Sequence, residues 1–543
     1  MAQPLDTQVL IAGAGPVGLT LAVALGRRGI SCTLIEQKDA PQFLPKMERC
    51  NARTMEIYRR LGLADRIRAA GLPAGVPMDV FVVLSMVEPP LLHLPYPSVA
   101  AAKDRIRSCR DGTMPLEPYQ LISQYTLEPL LKSAAEALPP VSVRYGHQLV
   151  SFTQDAAAVT AEVQGPGGAV ASIRAAFLVG CDGGASPVRK RLGIKLWGEY
   201  NLLELWQALY RSDDLFGMIP IGRGPGKGRH YHVADDKATQ LIVQDSTRHF
   251  TLHSVAPDDA AMRAMFERTV GAPVKYEMLA CNPWRQNLLL AERYQDGRVF
   301  LAGDAVHLMI PTGGLGMNTG VGDAIDLAWK LAGTLEGWGG PELLRSYEIE
   351  RRQVGERNVG ASRYASLGRR AWRAQWRPDI REATPAGAAA RSKLANVADI
   401  EQRKTNEMIG AELGYRYVDS PIVWNVPGGP EQPFRDCHPT TWPGARLPHV
   451  WRDDGAAIQD QIGEGYTILR LGGTTVDVAP LVAAMRSLGA PIGVLDVPDA
   501  AIRDIYGQDL ILARPDLHVV WRGNRPPEDP AAVAARVTGH GPR

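Results

Sequence analysis

The stretch from Gln8 to Glu36, QVLIAGAGPVGLTLAVALGRRGISCTLIE, constrains the fold more than any other part of the 543-residue chain. Its apolar run Val9-Leu10-Ile11-Ala12 has the length of a buried parallel strand. Gly13-Ala14-Gly15-Pro16-Val17-Gly18 follows, then an Ala- and Leu-rich segment that predicts a helix. A second apolar run, Cys32 to Ile35, ends in Glu36 and Gln37. Strand, glycine turn, helix, strand and acid in this order form a βαβ dinucleotide-binding unit. Gly13 permits the tight turn, Gly15 lets a pyrophosphate approach the backbone, and Gly18 lets the helix pack close on the strand. The helix N-terminus offers unbonded N–H groups and partial positive charge to the phosphates. Glu36 stands where a carboxylate accepts hydrogen bonds from a ribose diol.

Beyond Glu36 a basic segment, Arg49, Asn51 and Arg53, precedes a helix predicted over Thr54–Leu63 and can reach a phosphate. Residues 76–110 are proline-rich and read as short strands, at Val80 to Leu84 and Leu91-Leu92, and crossing loops. Tyr119 to Leu131 predicts a second amphipathic helix, with Gln124 the polar group able to face inward. Ala158–Gln164 and Ser172–Leu178 flank Gly165-Pro166-Gly167-Gly168, a β-hairpin pattern. Residues 195–285 alternate polar and apolar residues and predict a mostly antiparallel second lobe, with a helix at Ala260–Thr269. Helices are predicted at Val321–Leu335 and Pro341–Val359, and residues 371–400 form a bridging helix or linker. From Gly444 onward, strands at Tyr466–Leu469, Ile492–Leu495, Leu510–Ala513 and His518–Trp521 and helices at Ala479–Leu488 and Ala531–Val537 predict a small α/β domain.

Two more motifs repeat the logic of the first. Gly180-Cys181-Asp182-Gly183 and Gly303-Asp304-Ala305 each follow an apolar strand. Both put an aspartate at the C-terminal end of a parallel-type strand, where open α/β sheets bind ligands. Asp304 can accept a hydrogen bond from a polyol hydroxyl. Gly313, Gly314 and Gly316 let backbone N–H groups approach a ring carbonyl or a phosphate.

On these motifs, and on RVFLAGDAVHLMIPTGGLGMNTGVGDAIDLAWKLA, nearly the whole chain resembles the FAD-dependent, single-component aromatic hydroxylases of the p-hydroxybenzoate hydroxylase fold. GARLPHVW (Gly444 to Trp451) and RPDLHVVWRG (Arg514 to Gly523) resemble the thioredoxin-like C-terminal domain of the phenol hydroxylase branch. The resemblance implies an α/β fold. A Rossmann-like FAD-binding domain (1–75, 106–190, 286–370) interleaves with a mostly antiparallel β-sheet substrate domain (76–105, 191–285). A helical linker (371–420) and a thioredoxin-like α/β domain (421–543) complete it. Without a CxxC pair, that last domain is expected to be structural.

The resemblance also implies roles. Gly13, Ala14, Gly15, Pro16, Val17 and Gly18 hold the FAD pyrophosphate, and Glu36 and Gln37 the adenosine ribose. Arg49 belongs to the cofactor-binding set, and Gln124 contacts the flavin. Asp304 binds the ribityl or pyrophosphate portion, and Asp182 serves both FAD and NAD(P)H. Pro311, Gly314, Leu315, Gly316, Met317 and Asn318 line the isoalloxazine. Two departures are visible: Ala185 stands where the family often has arginine, and Pro45-Lys46-Met47-Glu48-Arg49 replaces a common Pro-Arg-Ala sequence. The implied reaction uses O2 and NADH or NADPH as co-substrate and passes through a C4a-hydroperoxyflavin. It hydroxylates a small phenol or catechol, or displaces a ring substituent such as nitro or chloro; a polycyclic polyketide is the less favoured substrate. A phenol reacts better as phenolate, so a base at the hydroxyl is expected, and Glu48, Tyr210 and His232 are the candidates.

The competing functions are a flavin dehydrogenase or oxidase without oxygen insertion, and a non-enzymatic FAD-binding scaffold. Oxygen incorporation into product separates the first; a colourless purified protein would favour the second. A formal net charge of +2 predicts no nucleic-acid partner and no membrane-surface partner. The six scattered cysteines predict neither a disulfide framework nor a metal site. No leader or membrane-spanning pattern is seen, so a cytoplasmic monomer or homodimer is expected.

Overall fold

The computed structural model describes residues 4–220 and 228–541. Its first sheet carries the glycine fingerprint. In spatial order it contains the strands Gln295–Asp296, Val299–Leu301, Val170–Gly180, Thr7–Ala12, Cys32–Glu36 and Val141–Tyr145. The last five run parallel, and Gln295–Asp296 closes one edge antiparallel. Val9, Leu10 and Ile11 are fully buried, as a central strand covered on both faces requires. The helix Pro16–Arg27 buries Leu19, Leu21 and Leu25 completely. Each such leucine contributes about 2 kcal/mol of transfer free energy. The parallel arrangement brings four strand ends to one edge: Ala12 before Gly13, Glu36 itself, Gly180 before Cys181-Asp182, and Leu301 before Gly303-Asp304.

The second sheet runs His307–Leu308, Glu277–Ala291, Leu196–Arg211, His249–Ser254, Gln240–Val243, His230–Val233, Val80–Val83 and Leu92–Leu94. Neighbours are antiparallel except His230–Val233 beside Val80–Val83. One face packs on the helix Asp259–Val270 through Tyr210, Tyr231, Leu241, Leu252, Met262 and Phe266. The opposite face looks toward the first sheet.

The C-terminal sheet has the order Ile492–Val497, Tyr466–Leu471, Leu510–Ala513, Val519–Gly523. Ile468, Leu510 and Leu512 face a cluster holding Trp329 and Trp338, whereas Leu469 and Ile511 face a second cluster with Leu447 and Tyr506. The period-two alternation of these strands therefore supplies both faces, and Trp329 joins the sheet to the helix Gly316–Leu335. The mixed α/β fold is the class expected from the sequence.

Several elements depart from that expectation. The proline-rich segment 76–110 contains a helix, Val99–Ser108, started by Ser98 Oγ accepting from Ala101 N–H at 3.2 Å. The helix expected from Tyr119 begins at Gln124 and runs to Glu136, because Gln120-Leu121 pairs with Arg49-Cys50. The helix predicted from Val321 starts at Gly316, and the one from Pro341 extends to Arg373. Ala500–Tyr506 is a further helix the pattern did not reveal. Among the described residues, no helix is long and apolar enough to cross a membrane.

Candidate active site

A cavity of about 800 Å³ runs from the C-terminal edge of the first sheet to the second. At its first end the three fingerprint glycines divide their work. Gly13 has φ +107°, and a Cβ there would stand 2.4 Å from the Cys181 carbonyl oxygen. A Cβ on Gly18 would stand 2.0 Å from the Gly13 carbonyl oxygen. A Cβ on Gly15 meets nothing within 4 Å, so its missing side chain leaves room in the cavity itself. The helix Pro16–Arg27 has no side-chain cap, which leaves its first N–H groups for a ligand. Glu36 is oriented by its neighbours: Oε2 accepts from Ala14 N–H at 3.0 Å and Oε1 from Lys38 N–H at 3.0 Å.

The two aspartates stand further along. Asp182 Oδ2 accepts from Val188 N–H at 3.0 Å, and its Oδ1 is enclosed without a partner among the described residues. Asp304 faces the cavity with no hydrogen-bond partner among the described residues. Burial pushes both carboxyls above the usual range. Next come Gly313 and Gly314, at φ +94° and +65°, and Gly316 at the uncapped start of the helix Gly316–Leu335. Unfilled space at Gly15, two uncapped helix starts and two carboxyls with unused acceptors match an elongated ligand. Its pyrophosphate, polyol and flat ring are the parts of FAD, so the residues present fit that group.

Gln37, Gln124, Pro311, Met317 and Asn318 also line the cavity. Three of the expected contacts are already engaged with protein. Gln124 Nε2 donates to Glu128 Oε1 at 2.6 Å. Arg49 Nη2 donates to Gly313 O at 2.9 Å and pairs with Glu412 at 3.1 Å, which pins the glycine loop. Asn318 accepts from Asn51 N–H at 2.9 Å and donates to Arg49 O at 3.1 Å. Three expected residues do not line the cavity. Gly18 packs helix on strand. Leu315 turns its side chain into a cluster with Ala361, Ala365 and Met408. Tyr210 is fully buried, stacked on Phe266 at 4.0 Å, and its hydroxyl donates to Met262 O at 2.8 Å. The reason for Tyr210 is strand parity: it shares the core face with Ala208, whereas Gln207 lies on the other face. Arg53, in the basic segment, donates to Asp516 O at 2.7 Å and does not line the cavity.

The second sheet forms the other end. Cross-strand partners put Gln207, His253, Gln240 and His232 in one row over four strands. Ile242 pairs with both His230 and Thr251, which makes a second row. Glu48 reaches these rows: His230 Nε2 and Glu48 Oε1 lie 3.2 Å apart. Burial opposes ionisation of Glu48, but the hydrogen bond from His230 and the nearby Arg229 guanidinium hold its carboxyl down at about 2. Burial keeps His230, His232 and His253 below their ordinary range, so these rings are neutral at pH 7. Glu48 is therefore an ionised acceptor, and His230 donates to it from Nε2. Of the three candidate bases, Glu48 and His232 share this cavity; His232 Nε2 is engaged by Gln402 Nε2 at 3.2 Å. His230, Gln240, Gln244 and His253 were missed as site residues. Part of their signal was present in the two-residue spacing of His230 and His232 and of His249, Thr251 and His253.

The model of a family described as "FAD binding domain" matches residues 6–362. The FAD-dependent monooxygenase apdD of Emericella nidulans is 32% identical over 98% of this chain and 90% of its own length. Aklavinone 12-hydroxylase RdmE of Streptomyces purpurascens is 32% identical over 98% of both chains. The solved structure of RebC with bound 7-carboxy-K252c superposes with a TM-score of 0.91 at 30% identity, covering 99% of this chain and all of that one. A glycine cradle shaped for a dinucleotide and a match of this extent lead to one conclusion: the chain belongs to the FAD binding domain family, as a flavoprotein monooxygenase of the hydroxylase type.

Proposed function

We propose that this enzyme hydroxylates a phenolic ring seated between the Gly313–Gly316 loop and the polar face of the second sheet, with NAD(P)H and O2 as co-substrates. The carrying observation is Glu48, a carboxylate kept ionised inside the cavity by His230 and Arg229. FAD, when bound, supplies the redox and oxygen-activating chemistry. The chain's own residues do the rest. Glu48 accepts the hydrogen bond of the phenol O–H, which draws electron density toward the ring. His230 steadies the carboxylate by donating from Nε2. The sheet face orients the ring edge-on through its polar rows, and the loop that Arg49 holds closes the flavin end to water. The proton balance is simple: ring C–H, O2, NAD(P)H and a proton give ring C–OH, NAD(P)+ and water. A relative named for aklavinone and a polar sheet face spanning four strands support a fused-ring phenol over a single ring.

Glu48→Gln keeps the size and removes the charge. Its kcat/KM for hydroxylation is expected to fall about 100-fold, while FAD content stays unchanged and NAD(P)H oxidation shifts toward H2O2. Product mass in an 18O2 atmosphere and peroxide yield are measured side by side. Unchanged coupling and rate would remove Glu48 from the chemistry. NAD(P)H oxidation without oxygen entering any phenol or fused-ring phenol would favour the dehydrogenase or oxidase alternative.

A further inference from the structure

Of the arginines lining the cavity, Arg369 alone has no carboxylate partner among the described residues. Arg369, on the helix Pro341–Arg373, lines the cavity beside Gln240. Its Nη1 donates to Gln240 Oε1 at 2.8 Å, and its Nε is enclosed without a partner among the described residues. No carboxylate among the described residues pairs with it; Glu48 acts on it only from a distance. Nη2 is left with no partner among the described residues and faces the cavity.

The neighbouring arginines are all committed, and the lining lysines Lys38 and Lys46 lie toward Glu128 and Asp304 at the flavin end. Arg373, one turn on, donates to Thr239 O at 2.8 Å and pairs with Asp235 at 3.5 Å. Arg229 donates to Gln244 O at 3.1 Å and Glu48 O at 3.0 Å. Arg285, also in the cavity wall, pairs with Glu204 at 2.6 Å. Burial and the adjacent Arg373 push the Arg369 guanidinium down to about 9, so its charge is held at a cost. A guanidinium with one of five donors used, walled into a cavity, is stabilised by an anion that matches its planar fork.

We propose that Arg369 is the anchor for a carboxylate on the aromatic substrate. This rests on the hydroxylase reading above and narrows its substrate class to hydroxyaryl carboxylates. Register also sets the spacing. Gln240, which holds Arg369, pairs with His232, and His230, which holds Glu48, lies two residues along the same strand. Two residues of strand span roughly 7 Å. The residues that hold Arg369 and Glu48 are thus set apart along the sheet, which suits a hydroxyl and a carboxylate on different parts of the ring system.

The test uses the holoenzyme and a matched pair of probes, 6-hydroxy-2-naphthoate and 2-naphthol, with binding read by titration calorimetry. The wild type is expected to bind the carboxylate at least 10-fold more tightly than the naphthol. Arg369→Met should lose that preference while 2-naphthol affinity changes less than 2-fold. Arg369→Lys, which keeps the charge, should restore part of it. Equal affinity of the two probes in the wild type, or an equal loss for both in Arg369→Met with FAD content intact, would overturn the proposal. So would a loss confined to NADPH with NADH spared, which would assign the anion to a nucleotide phosphate. Binding is independent of turnover. Carboxylate preference with no oxygen inserted would leave Arg369 in place and count against the hydroxylase reading alone.

Discussion

Gly15→Val is expected to give a folded chain that retains no flavin. The backbone at Gly15, φ −73° and ψ 178°, is open to any residue, so valine introduces no strain. Its Cβ meets no protein atom within 4 Å, and the apo protein should change by less than about 0.5 kcal/mol. The branched side chain instead fills the space where a pyrophosphate must touch the backbone. FAD affinity is expected to fall at least 100-fold, about 2.7 kcal/mol. Two numbers check this: flavin absorbance per chain after purification, and the melting temperature of apo variant against apo wild type. Gly18→Ala makes the contrast. Its Cβ would stand 2.0 Å from the Gly13 carbonyl oxygen, a backbone atom that cannot rotate away. The helix must lift from the strand, so flavin content and apo stability fall together. Full flavin content in Gly15→Val would mean that the pyrophosphate lies elsewhere.

The same contrast explains what could be seen in the sequence. The fingerprint was legible because strand, turn and helix are contiguous, and each glycine answers to a local steric demand. Asp182 and Asp304 were legible because they end apolar strands, and parallel pairing brings those ends together. Tyr210 was misplaced because an aromatic on a strand suits either face. Only the register with His249–Ser254 settles that Gln207 faces the cavity and Tyr210 the core. The Leu315 side chain was not placed for a related reason: a loop residue next to four cavity-lining neighbours still turns its own side chain inward. Arg369 could not be found at all. It lies in a helix with many charged residues, and what distinguishes it is the absence of a carboxylate partner among the described residues, which no sequence pattern records. The long reach of that helix was hidden as well, since the packing that supports its last turns comes from the helix Pro385–Glu401, distant along the chain.

Arg514→Met is expected to cost the most stability of any single change considered. Arg514 lies between the last two strands of the C-terminal sheet and is completely buried. It donates to Glu350 Oε1 at 2.7 Å, to Asp326 Oδ1 at 3.0 Å and to Asp516 Oδ1 at 2.8 Å. Lys330 Nζ meets the same Asp326 and Glu350 at 2.8 and 2.6 Å. Asp326 and Lys330 belong to the helix whose first turn borders the flavin site, and Glu350 to the next helix, so this cluster fastens the C-terminal sheet to both. Three carboxylates face two cations; methionine leaves three against one, in a place water does not reach. Breaking one partner out of such a cluster costs about 3–5 kcal/mol, mostly as uncompensated buried charge. The pH dependence identifies the cause. Burial opposes the charge on Glu350, but Arg514 and Lys330 hold it at about 2, a lowered value whose stabilisation is present above the ordinary carboxylate range and lost on acidification toward 2. Asp326, whose carboxyl burial lifts above the ordinary range, is the first of the three to take up a proton on acidification. Without Arg514 the carboxylates must protonate in order to stay buried, so the penalty should be full at pH 8 and shrink toward pH 5. Urea midpoints of wild type and variant at these two pH values measure it, and adding Asp516→Asn to Arg514→Met should recover part of the loss at pH 8. A pH-independent loss would trace the effect to lost packing against Trp329 and Tyr417, whose rings lie 5.3 and 4.7 Å from the guanidinium carbon, and not to charge.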